Sequence, residues 1–80
     1  MSRKAQHALA YRKLPIFLKT MREKAALTQR QLGTKLGKPQ SWIYNCEVGN
    51  RRVDVIEFTA WTKACGVEPL AAFKRLLDQD

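Results

Sequence analysis

Leu14, Leu18, Met21 and Ala25 recur at steps of four, three and four residues. That spacing puts all four on one face of a helix. The stripe predicts a first helix that ends near Ala25-Ala26. Pro15 is best accommodated in a first helical turn, which places the start between Tyr11 and Leu14. Residues 1–10, MSRKAQHALA, are then a basic N-terminal arm that either stays outside the fold or prolongs this helix. Thr28-Gln29-Arg30-Gln31 fits a capping box, in which the Thr28 hydroxyl accepts from the Gln31 amide and the Gln31 side chain reaches back. It opens a second helix with Leu32 and Leu36 inward, closed by Gly37. At about two turns this helix is too short to stand alone and needs its neighbours.

Pro39 suits the start of a third helix, from Gln40 to about Val48. Ile43 and Cys46 face inward there, while Gln40, Ser41, Tyr44 and Asn45 fall largely on the other side. Gly49-Asn50 ends it, and Asn50-Arg51-Arg52 is an exposed basic loop. A second capping box, Asp54 to Glu57, opens a fourth helix with the stripe Val55, Phe58, Trp61 or Thr62, and Cys65, closed by Gly66. Pro69 opens a fifth, with Leu70, Phe73, Leu76 and Leu77 as its apolar face. No strand alternation, repeat or flexible linker interrupts the series. The expected fold class is all-α, with residues 11–80 as a single five-helix domain.

Charge sharpens this picture. Residues 1–52 carry twelve basic and two acidic side chains, and residues 53–80 carry three basic and five acidic ones. A basic front and a mildly acidic back point to a surface for a polyanion joined to a surface for packing or a partner. Other classes drop out. No apolar run approaches a membrane span, and no secretory h-region follows the basic start, so a cytoplasmic protein is expected. Cys46 and Cys65 lack metal-ligand spacing and read as reduced residues on apolar faces. With His7 as the only histidine and no phosphate-binding glycine loop, no catalytic constellation, metal site or cofactor is expected.

Two short helices joined by a tight glycine turn make a helix-turn-helix, spanning about residues 28–48. An α-helix fits the major groove of B-DNA, where glutamine and asparagine can pair with adenine and serine with several bases. Gln40, Ser41 and Asn45 are the side-chain types such a helix needs, and the Tyr44 ring can touch a thymine methyl.

The stretch from Leu27 to Arg52 resembles the Cro/CI-type (XRE family) helix-turn-helix. Leu27-Thr28-Gln29, Leu32, Leu36-Gly37, Gln40-Ser41, Ile43, Glu47, Gly49 and Arg52 carry the resemblance. Gly33, in place of the usual alanine, departs from it, as do Cys46 and the bulky Trp42. The resemblance implies a lambda-repressor-like five-helix domain that binds double-stranded DNA and regulates transcription, expected to be a repressor. It assigns base reading to Gln40, Ser41, Tyr44 and Asn45. It assigns phosphate contact to Gln29, Lys38, Asn50, Arg51 and Arg52, with Gln29 also bracing Gln40. It implies an ion pair between Arg22 and Glu47 that fixes the angle of the reading helix. Leu70, Phe73, Leu76 and Leu77 exceed what one small core needs. They are the expected homodimer interface, which goes with a near-palindromic operator of half-sites about 34 Å apart. The alternatives are an antitoxin with a toxin partner, a restriction-modification controller, and a protein-interaction module that has lost DNA binding.

Overall fold

The structure, a computed structural model, describes the backbone of residues 2–79 and the side chains of residues 11–79. Its elements are α1 (Ser2–Lys24), α2 (Gln29–Leu36), α3 (Gln40–Glu47), α4 (Val55–Ala64) and α5 (Pro69–Asp78), with no strand among the described residues. Both capping boxes form. Thr28 Oγ1 accepts from the Gln31 amide at 3.0 Å, and Gln31 Oε1 from the Thr28 amide at 2.9 Å. Asp54 and Glu57 repeat the exchange at 2.7 and 3.0 Å. Gly37, at φ +67°, ends α2 in the left-handed region, where a residue without Cβ is unstrained.

The first helix differs from the sequence expectation. It starts at Ser2 instead of between Tyr11 and Leu14, and Pro15 lies inside it. The segment before Pro15 is rich in good helix formers such as Ala5, Gln6, Ala8 and Ala10. Helix on both sides outweighs the one bond to the Tyr11 carbonyl that a proline cannot donate. The side chains of Arg3 and Lys4 in the expected arm lie outside the described residues.

α2 packs against both α3 and α4, α5 packs against α4, and α1 lies against α3 and α5. The core is Leu18, Leu32, Ile43, Cys46, Trp61 and Ala72, with Phe17, Met21 and Phe58 at its edge. Trp61 is fully buried, and its indole N–H donates to the Leu18 carbonyl at 3.2 Å. This satisfies the ring's only polar atom. One expected stripe is corrected. Val55, placed on the inner face of α4, is 76 % exposed, because as the first residue after the cap it points away from the core. On α5 the buried residue is Ala72. Leu76 is half-buried, while Leu70, Phe73 and Leu77 face outward. A methyl side chain lets α5 approach the core closely and turns the larger residues out.

Candidate nucleic-acid interface

The third helix is angled by a chain of polar contacts that begins in the interior. Arg22 on α1 and Glu47 at the end of α3 are both buried. Arg22 Nε donates to Glu47 Oε2 at 2.5 Å, and Nη2 to Oε1 at 3.0 Å. Arg22 Nη1 donates to the Leu27 carbonyl at 2.7 Å. The bond to Glu47 holds the guanidinium above its ordinary pKa, against the opposing pull of burial. Glu47 Oε1 also accepts from the Gln29 side-chain amide at 3.0 Å. Gln29 Oε1 in turn accepts from Gln40 Nε2 at 2.6 Å. A side chain exposed at the first position of α3 is thus tied, through one glutamine, to a buried ion pair. Among the described residues no buried side-chain nitrogen or oxygen lacks a partner.

The expected base-reading residues share the outer side of α3. Gln40, Ser41 and Tyr44 are exposed and Asn45 is half-buried. Asn45 Nδ2 donates back to the Ser41 carbonyl at 2.9 Å, and its Oδ1 accepts from Asn50 Nδ2 at 3.3 Å. The helix and the loop after it are therefore joined. The expected phosphate-contacting residues are not equivalent. Lys38, Asn50 and Arg52 are exposed and Gln29 is half-buried. The Lys38 ammonium lies 5.1 Å from the Trp42 ring centroid, and the Arg52 guanidinium 5.1 Å from that of Tyr11. Arg51 is turned inward, toward Glu57 and Trp42.

Three participants were not apparent from the sequence. Tyr11 accepts a 3.2 Å hydrogen bond from the Val53 amide on its hydroxyl oxygen and lies under Arg52. Glu57 pairs with Arg51, and the Trp42 ring stacks with Lys38 and Arg51. The turn lies over Gly33: a Cβ there would sit 2.6 Å from the Lys38 carbonyl oxygen. Ring–cation contacts across a loop leave no periodic signal. The only hint was a tryptophan where the family carries a small residue.

A family model described as a helix-turn-helix domain matches residues 14–76. Among solved structures, an XRE-family-like protein from Pseudomonas syringae pv. tomato is similar at 36 % identity and a TM-score of 0.86, over 95 % of this chain and 93 % of that one. The chain belongs to the XRE family of helix-turn-helix DNA-binding proteins. Comparison with curated proteins gives no match. In this XRE protein the α2–turn–α3 unit is the helix-turn-helix, and α3 is its second, outward-facing helix.

α4 and α5 also carry an apolar surface. An open groove of ≈ 440 Å³ is lined by Leu14, Val53, Val55, Phe58, Leu70 and Phe73, among others. Leu70 is 75 % exposed, and Ile56 and Leu77 are also largely exposed.

Proposed function

We propose that this protein is a sequence-specific transcriptional repressor that reads the major groove with α3. Gln40, Ser41, Tyr44 and Asn45 meet base edges. Gln29, Lys38, Asn50 and Arg52 meet the phosphates on either side and set the register. The observation that carries this reading is the chain from Arg22 through Glu47 and Gln29 to Gln40. An exposed glutamine held at 2.6 Å by a braced partner is ordered before DNA arrives, so little of its freedom is lost on binding. An ordinary solvated face needs no such support.

Two copies pair through the apolar face of α4 and α5, in the cytoplasm, on a near-palindromic operator. Lys74 and Asp78 sit one turn apart beside Phe73 and Leu77. In an antiparallel crossing of two α5 helices, Lys74 of each protomer would oppose the partner's Asp78, as a twofold interface requires. Repression then follows from occupying DNA that polymerase needs.

Selection of bound duplexes from a random pool tests the reading. Paired half-sites about 34 Å apart are expected. Gln40→Ala should relax the preference at one base pair of each half-site by about 1–3 kcal/mol. Unchanged preference in that variant would remove α3 from the reading role.

A further inference from the structure

Arg51 sits in the basic loop between α3 and α4, and although its side chain is 38 % exposed, both terminal nitrogens of its guanidinium donate within the protein. Nη1 and Nη2 donate to the two carboxylate oxygens of Glu57, each at 3.2 Å. Nη1 also donates to the Arg52 carbonyl at 2.6 Å. The guanidinium carbon lies 4.7 Å from the Trp42 ring centroid. Both supports are themselves anchored. Trp42 packs against the buried Trp61, with ring centroids 6.4 Å apart. Glu57 accepts from the Asp54 amide as part of the α4 cap. One planar cation therefore bridges the ring on α3, the loop, and the first turn of α4.

We propose that Arg51 is a positioning residue: it clamps the 50–52 loop between Trp42 and Glu57, presents Asn50 and Arg52 to the phosphates, and makes no phosphate contact itself. This rests on the reading of α3 given above. Two physical arguments support it. Turning the terminal nitrogens to a phosphate would take them off the Glu57 carboxylate. It would also leave the Glu57 charge unneutralised beside a polyanion, where like-charge repulsion opposes binding. The planar fork matters too, because lysine cannot make the two-pronged pair and stack on the ring at once.

The two roles separate in the salt dependence of DNA binding. Each phosphate contact contributes about 0.9 to the slope of log affinity against log salt. With the full chain on one duplex across a range of salt, Arg52→Gln should lower the slope by about 0.9 per bound protomer. Arg51→Gln should weaken binding about fivefold with the slope unchanged, the size expected for one half-exposed ion pair and ring contact. Arg51→Lys should match Arg51→Gln instead of the wild type. Thermal melting confirms that each variant is folded at the assay temperature, and if Arg51→Gln does not fold, Arg51→Lys carries the comparison. A slope reduced by about 0.9 in Arg51→Gln, or wild-type affinity in Arg51→Lys, overturns the clamp. A wild-type protein that binds all sequences equally would defeat the base-reading role of α3, while the slopes would still decide the clamp.

Discussion

Arg22 and Glu47 meet side by side, Nε to Oε2 at 2.5 Å and Nη2 to Oε1 at 3.0 Å, with hardly any solvent around either. The pair joins the long first helix to the last residue of α3. It also leaves Glu47 Oε1 to receive Gln29. Removing one member strands a buried charge. Arg22→Ala is expected to cost about 3–5 kcal/mol of stability. Replacing both members with apolar residues of similar volume should cost much less stability but still loosen Gln40. Denaturant unfolding and DNA titration of the single and double variants separate the two effects, and unchanged melting in Arg22→Ala would count against the pair.

Gly33 is set by the turn and not by helix propensity. Alanine would gain about 1 kcal/mol in an isolated helix. Here its Cβ would meet the Lys38 carbonyl oxygen at 2.6 Å, and the backbone must move. Gly33→Ala should therefore destabilise the protein by about 1–3 kcal/mol. It should also lower DNA affinity by tilting the start of α3. A more stable variant with intact binding would show that the turn relaxes freely.

Much of this was legible in the sequence, and the gaps have physical causes. The bounds of α2, α4 and α5 follow from Thr28, Gly37, Asp54 and Pro69, because a cap is a local bond between residues close in the chain. The start of α1 was not legible. Pro15 reads as a beginning unless the helix-forming strength of the residues before it is weighed against one lost bond. The excess of large apolar residues on α5 was legible, but not that Ala72 is the residue that docks this helix, because a weak hydrophobe adds little to an apolar stripe. Gln40 on the outer side of α3 follows from helical spacing, while its bracing by Gln29 came from the family resemblance. The engagement of Arg51 with Trp42 and Glu57 is tertiary and has no counterpart in spacing.

Ala26 takes φ +60° just after α1. The left-handed region costs a residue with a Cβ about 1–2 kcal/mol, whereas glycine adopts it freely. Ala26 is exposed, so no packing is lost on substitution. Ala26→Gly should raise stability by about 0.5–1 kcal/mol, the part of that cost left after glycine's greater unfolded entropy. A lower unfolding midpoint would contradict this.

Burial pushes the Cys46 thiol up from 9.0 to about 11. Between those values the unfolded thiol has lost its proton and the folded one keeps it. The unfolded state then binds fewer protons, so stability falls as pH rises through this window. The contribution is whole below pH 9 and lost by about pH 11. Unfolding free energies of wild type and Cys46→Ala should converge by about 2 kcal/mol across that range. A constant difference would mean that the folded thiol ionises normally.

Phe73 is half exposed on α5 and edges onto Phe58, with ring centroids 6.4 Å apart. Phe73→Glu should leave the fold nearly intact but put like charges at the proposed twofold face. Sedimentation is expected to give a dimer mass for the wild type and a monomer mass for this variant. The variant should also bind paired half-sites about as weakly as a single one. A wild type that sediments as a monomer at micromolar concentration would remove the self-association.

The brevity of α2 and α3, eight residues each, ties occupancy of DNA to the integrity of the whole globule. Neither helix persists without the interior behind it. Warming that melts the protein should release bound DNA in the same cooperative step, leaving no half-folded species that still holds it. For a DNA-binding regulator built this way, the temperature ceiling of DNA occupancy and that of the fold coincide.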